Sequence, residues 1–306
     1  MSKTIMPRPT SKGLPVQLRR SLLALGCTLL AVSSSNASAE PSATSKMPDS
    51  ALYIGFGASA NSVDFNDQDI QATGISDTYD TTSGALLASG SAGGPAVDLS
   101  MDSQSSLSPT LQLGYFQHFD NSPWLWGAKF SYNYLSTSST TKNFLIPQYG
   151  AFGATPFTGN AVVHSFETEI KHQISLVPYI GHSFANGFVY AGAGPTLSQI
   201  NTKIDGLIGF ADINGTRTDI SGQPSNFSSS QWSHGGIGTL GGTYFLDSSW
   251  FLDFNYNYAV TENRTARYSE PFTNPTPTKT YTGTLIGSTS GSVTTQSVAL
   301  SINKAF

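Results

Sequence analysis

Apolar and polar positions alternate in eight separate runs along the chain, and each alternation of period two predicts a β-strand with one oily face. The first run, Leu52 to Ala58, sets Leu52, Ile54, Phe56 and Ala58 against Tyr53, Gly55 and Gly57. The second, Thr110 to Phe119, sets Leu111, Leu113, Tyr115 and Phe119 against Gln112, Gly114 and His118. The third is the cleanest: Trp124, Trp126, Ala128, Phe130, Tyr132 and Tyr134 oppose Gly127, Lys129, Ser131 and Asn133. In the fourth, Glu167 to Phe184, the pattern predicts Ile170, Ile174, Leu176, Pro178, Ile180 and Phe184 on the oily face. Glu169, Lys171, Gln173, Ser175, Tyr179 and Gly181 fall on the other. Pro178 lacks a ladder donor and predicts a local bulge or irregularity.

The fifth run, Phe188 to Ile200, sets Val189, Ala191, Ala193 and Leu197 against Tyr190, Gly192, Gly194 and Thr196. In the sixth, Gln231 to Leu246, five glycines between Gly235 and Gly242 blur both faces and leave the register open. The seventh sets Trp250, Leu252, Phe254, Tyr256 and Tyr258 against Asp253, Asn255 and Asn257. The last, Val293 to Phe306, sets Val298, Leu300, Ile302 and Phe306 against Ser297, Ala299, Ser301 and Asn303, with Lys304 interrupting the oily face.

The connections carry as much information as the runs. Tight turns near 120–123, 185–187 and 246–249 alternate strictly with four long polar segments, Asn61 to Ser108, Ser136 to about Ser165, about Asn201 to Ser230 and Glu262 to about Ser292. All four read as exposed loops at one end of the molecule. A globular sandwich has no reason to gather its long loops this way, whereas a membrane barrel has short turns on one side, long loops on the other and an even strand count. The runs reach the about nine to eleven residues that a tilted strand needs to cross a bilayer. Trp124, Trp126 and Trp250 sit beside the short turns, and Tyr132, Tyr134, Tyr256 and Tyr258 lie toward the opposite strand ends, as two interfacial girdles would.

With its terminal aromatic strand, the chain resembles the eight-stranded outer-membrane β-barrel proteins of the OmpA membrane-domain and OmpX type. The resemblance implies an all-β, antiparallel, up-and-down transmembrane barrel over residues 51–306, with four extracellular loops and three periplasmic turns. It also implies that Phe306 is read by the outer-membrane assembly machinery; with no room after Phe306 for a peptidoglycan-binding domain, the resemblance is expected to stop at the barrel.

Lys3, Arg8, Lys12, Arg19 and Arg20 precede an apolar run from Leu22 to Val32, and Ala37-Ser38-Ala39 supplies a small-x-small cleavage site before Glu40. This predicts a signal peptide over 1–39 and a short periplasmic lead over 40–50. Cys27 lies inside the signal, and Ala24-Leu25-Gly26 inverts the order a lipidated cysteine needs, so the mature chain has no thiol for a disulfide or a metal. Cleavage leaves ten basic and nineteen acidic residues, a net charge of −9, which excludes nucleic acid as a partner.

A barrel of eight strands is just wide enough for its own inward side chains. Lys129, Glu169, Lys171 and Asp253 fall on inward positions together with Gln112, His118, Gln173, Asn255 and Asn257, so the two lysines are expected to pair with the two acids and plug the lumen. Gly55, Gly57, Gly114, Gly127, Gly181, Gly192 and Gly194 are expected to make room for the larger residues. No cofactor is implied. The candidates for a hydrolase at the membrane rim, His164-Ser165 with Glu167 and His182-Ser183, lack an identifiable third partner and place each His and Ser on opposite faces. In the first loop Asp64, Asp67 and Asp69, with Asp77, Asp80, Asp98 and Asp102, form a weak cation candidate. Asp69 and Ile75 stand where a calcium loop needs Gly and Glu, so no metal site is expected.

Two function classes follow. One is a monomeric surface-interaction or envelope-structural barrel that touches lipid, lipopolysaccharide or a host ligand through its loops; the other is a narrow pore for small solutes. Strand count favours the first, since water-filled porins use about sixteen strands.

Overall fold

The computed structural model describes residues 47–306; the expected signal peptide, with Cys27, and most of the short lead lie outside the described residues. Twelve strands follow in order: β1 (Ser50–Asp80), β2 (Leu86–Gly93), β3 (Val97–Leu99), β4 (Gln104–His118), β5 (Trp124–Phe152), β6 (Thr155–Phe184), β7 (Gly187–Ile213), β8 (Thr216–Asp219), β9 (Ser225–Phe245), β10 (Trp250–Thr261), β11 (Arg264–Pro275) and β12 (Lys279–Ala305). Eight of them close a barrel in the order β1, β4, β5, β6, β7, β9, β10, β12, each antiparallel to the next. The ring shuts where β12 pairs with β1, from Tyr53 opposite Ala305 to Asp80 opposite Lys279. Closure gives every barrel strand a partner on both sides, the condition a sheet must meet to cross lipid. Among the described residues no helix is long and apolar enough to cross a membrane.

The three tight turns fall where the sequence places them. Phe119 N–H donates to the Trp124 carbonyl (2.9 Å) and Phe245 N–H to the Asn186 carbonyl (2.7 Å). Asp247 Oδ1 accepts from the N–H groups of Ser249 (2.7 Å) and Trp250 (2.8 Å).

The long connections differ from their reading as loops, because strand continues through most of them. β1 runs on to Asp80, β5 and β6 meet in a hairpin at 152–155, and β2, β3, β8 and β11 add further rungs. Alternation persists there but is carried by small and hydroxylated residues, which show little hydropathic contrast. In β12, Tyr281 and Thr289 point inward between Ser and Thr neighbours, and Leu285 between Thr284 and Ile286. With about ten residues needed to cross the bilayer, β6, at 30 residues, has ~20 left over, or ~65 Å of strand.

Register shifts interrupt β1 between Asn66 and Asp69, β5 between Tyr134 and Thr137, β6 between Ile170 and His172, and β7 between Ile204 and Leu207. The shift in β6 overturns part of the expected face assignment. An inserted residue reverses the inside-outside parity of everything beyond it. Ile170 is therefore fully buried in the lumen, and Glu169 lies on the outer face. At Pro178 the ladder to β7 loses its bridges between Ser175 and Tyr179 without changing register, since Pro178 and Pro195 both lack an N–H. The open register of the sixth run is resolved: Gly235 and Gly241 face in with Ile237, Thr239 and Thr243, while Gly236, Gly238 and Gly242 face out.

The outer face of the turn-proximal half is a continuous apolar band that includes Leu52, Ile54, Phe56, Leu111, Leu113, Phe130, Leu176, Ile180, Leu240, Phe254 and Leu300, all exposed. Exposed Trp124, Trp126 and Trp250 edge it at the turns, and Tyr134, Tyr256 and Tyr258 at the far side. Lys304, the break in the oily face, places its Nζ 5.1 Å from the centre of the Trp250 ring, a cation–π contact at the band's edge.

Candidate functional site in the lumen

At the turn end the lumen is closed by apolar side chains from all eight barrel strands: Ala51 and Tyr53, Phe116, Leu125, Tyr179, Phe188 and Tyr190, Phe245, Phe251, and Ala305. Phe245 and Phe251 stack with centroids 4.8 Å apart, and Phe116 lies 5.3 Å from Phe188.

Above this layer sits a polar network centred on Asp253. Lys129 Nζ is 3.3 Å from Asp253 Oδ2, with both side chains almost wholly buried. The Tyr190 hydroxyl accepts from Lys129 Nζ (2.7 Å) and donates to Asp253 Oδ1 (2.8 Å). Asp253 Oδ2 also accepts from Gln112 Nε2 (3.2 Å) and Asn255 Nδ2 (2.9 Å). Gln112 reaches on to the Ser301 hydroxyl (2.7 Å), and Asn257 donates to Asn255 Oδ1 (2.8 Å). A buried ion is costly unless its partners saturate it; here one carboxylate takes four donors from β4, β5, β7 and β10.

The expected four-residue ion network is therefore half formed. Lys129 and Asp253 meet; Glu169 and Lys171 do not join them. The bulge turns Glu169 outward, where it accepts from Ser136 Oγ (3.2 Å) and Asn201 Nδ2 (2.8 Å), and it leaves Lys171 between inward Ile170 and inward Gln173. His118, expected inside, lies at the rim with Nδ1 3.0 Å from the Asp49 carbonyl oxygen. Gln173 stays inside, 3.3 Å from Ser198 Oγ.

Three tyrosines of the lumen were not singled out by the sequence, and each lies over a glycine directly across the ladder: Tyr53 opposite Gly114, Tyr179 opposite Gly127, and Tyr190 opposite Gly241. A Cβ would come within 2.3 Å of the Tyr53 hydroxyl at Gly114, 2.3 Å of the Tyr179 ring at Gly127 and 2.4 Å of the Tyr190 ring at Gly241. These close approaches are what the missing side chains permit. Farther up, the lumen fills with Val63, Phe65, Leu135, Ile170 and Val293, then with a larger apolar cluster around Ile70, Ile146, Val163, Phe166, Ile204 and Leu207.

The remaining candidates are dispersed. His182 packs edge-on to the Trp124 ring (5.0 Å), and Ser183 Oγ donates to the Pro123 carbonyl (2.9 Å). His164 is exposed, and Ser165 Oγ is 3.4 Å from Asp205 Oδ2. Asp64 accepts from the Ser103 hydroxyl, Asp67 occupies the bulge of β1 with φ of 50°, and Asp69 lies opposite Asp98. Among the described residues no three His, Cys, Asp or Glu side chains gather as a metal site. Phe306 donates its N–H to the Leu52 carbonyl (2.8 Å) and leaves its ring exposed.

No family model and no curated protein matches the chain. Among solved structures it is similar to Neisserial surface protein A, at 12% identity over 79% of this chain and 99% of that one, with a TM-score of 0.30. It is also similar to the outer membrane protein OprG from Pseudomonas aeruginosa, at 12% identity over 80% of this chain and 95% of that one, with a TM-score of 0.30. The attachment invasion locus protein Ail of Yersinia pestis gives 10% identity, 77% and 98% coverage and a TM-score of 0.23. Scores this low carry no functional argument. The class is defined by this chain's own closed ladder and apolar band: an eight-stranded antiparallel β-barrel of the outer-membrane type.

Proposed function

We propose that the protein resides in the bacterial outer membrane with its turns toward the periplasm, and that it acts at the cell surface or as an envelope-structural element rather than as a pore. The observation that carries this reading is the filled lumen. Apolar layers lie below and above the Lys129–Asp253 network, and among the described residues the charged side chains buried in the barrel are those of Lys129 and Asp253, which pair with each other. The strands that continue beyond the apolar band then offer the surface through which it meets lipopolysaccharide, a neighbouring cell or a host molecule, while the membrane half anchors them.

The test is to shave the barrel just above the register shifts at 66–69, 134–137, 170–172 and 204–207, joining the strands by short turns, and to compare adherence of cells that display the full and the shaved forms. Full adherence by a shaved barrel that still resists detergent would refute the surface role. Loss of adherence with the barrel intact supports it.

A further inference from the structure

The far end of the lumen opens into a cleft of about 510 Å³, part of it open to solvent, walled by Ala72, Phe157, Ala161, Ala211, Phe272 and Leu285. No charged side chain lines it, although Asp77, Asp212 and Asp219 stand one residue along the chain from lining positions. Two of its polar side chains are engaged within the wall. Gln148 Nε2 donates to the Ala72 and Pro147 carbonyls (both 2.9 Å), and Ser221 Oγ accepts from Gly209 N–H (2.8 Å). The wall leaves space: a Cβ built at Gly209 would meet nothing nearer than Leu285, at 3.7 Å. The floor is the buried cluster containing Ile70, Val163, Phe166, Ile204 and Leu207, so the cleft ends blind. An apolar hollow facing water, with no charged side chain on its walls, gains most from a guest that displaces water without asking for polar contacts.

We propose that this cleft binds a small, uncharged, apolar molecule, of one or two rings, taken from the external medium. The lining sets the class: Asp212 on the flank faces Arg217 across the ladder, and no charged side chain lines the walls to partner an anion or a cation. The inference is independent of the surface role, because a blind cleft binds its guest whether or not the outer strands touch another cell.

The probe is naphthalene, added to the full mature protein in lipid nanodiscs with methyl-labelled alanine. The expected result is a saturable shift of the Ala72, Ala161 and Ala211 methyls while those of Ala51 and Ala305, at the turn end, stay fixed. Filling the cleft by Ala161→Phe or Ala211→Phe should weaken binding by about tenfold or more, and naphthalenesulfonate should bind similarly weakly. Shifts at both ends alike, uptake no greater than in protein-free discs, or equal binding of the sulfonate would overturn the proposal. The wild-type methyl measurement decides it even where a filled variant does not fold.

Discussion

Replacing Asp253 by Ala removes the carboxylate on which the lumen network converges. Lys129 keeps only the Tyr190 hydroxyl at 2.7 Å, and the donors of Gln112, Asn255 and Tyr190 lose their common acceptor. Breaking a buried ion pair on one side costs about 3–5 kcal/mol. Gln112 retains Ser301 and water can follow into the space left, so the expected loss here is ~2–4 kcal/mol. The double variant Lys129→Met, Asp253→Leu strands no charge and should be at least ~1 kcal/mol more stable than Asp253→Ala alone. The assay is reversible urea unfolding from lipid vesicles, followed by tryptophan fluorescence and by the folded band on unboiled gels. A loss under ~1 kcal/mol for Asp253→Ala, or a double variant as unstable as the single, would refute the argument that a saturated buried pair holds the lumen.

Gly127→Val drives a side chain into the Tyr179 ring 2.3 Å away and should cost ~1–3 kcal/mol in the same assay, with Tyr179→Ala relieving much of it. Lys171→Ala, outside the network, should change stability by no more than ~0.5 kcal/mol, in contrast to Lys129→Ala; equal losses would put Lys171 back into the lumen. At the tip of the β1–β2 hairpin, the N–H and hydroxyl of Ser83 and the N–H of Thr82 donate to Asp80 and hold its carboxyl below the usual range. Because that folded value is depressed, the support it gives the tip is present above the ordinary carboxylate range and fades as pH falls through the lowered value. Protection of the 80–86 amides, measured against their intrinsic exchange rates at each pH, should fall on acidification in wild type and vary less with pH in Asp80→Asn. Phe306→Ala should lower the assembled fraction in cells while leaving refolding into vesicles almost unchanged; an equal defect in both would make the ring a structural rather than a recognition element.

What could be read in advance followed contrast and turn length. Faces were legible where large aromatics alternate with Gly, Ser or Lys, as from Trp124 to Tyr134, and registers were legible across the three short turns. The Tyr–Gly pairs were hidden because Tyr53 with Gly114, Tyr179 with Gly127 and Tyr190 with Gly241 each span a long connection, whose register no turn fixes. The apolar seal was hidden because Phe251 and Phe245 sit between outward Trp250, Leu252 and Tyr244, so neither face looks polar. Glu169 and Lys171 were misplaced by one inserted residue, which leaves composition untouched and reverses parity. The outer extensions read as loops because Ser and Thr serve both faces of a strand with little contrast.

The closed lumen is tested by the ionic conductance of the purified mature protein in a planar lipid bilayer. Wild type is expected to pass no steady current, and Phe116→Ala with Asp253→Ala should pass none either, because the apolar layers above the seal and the network stay in place. A stable, ohmic current through the wild-type protein would contradict the closed lumen and return the narrow-pore reading.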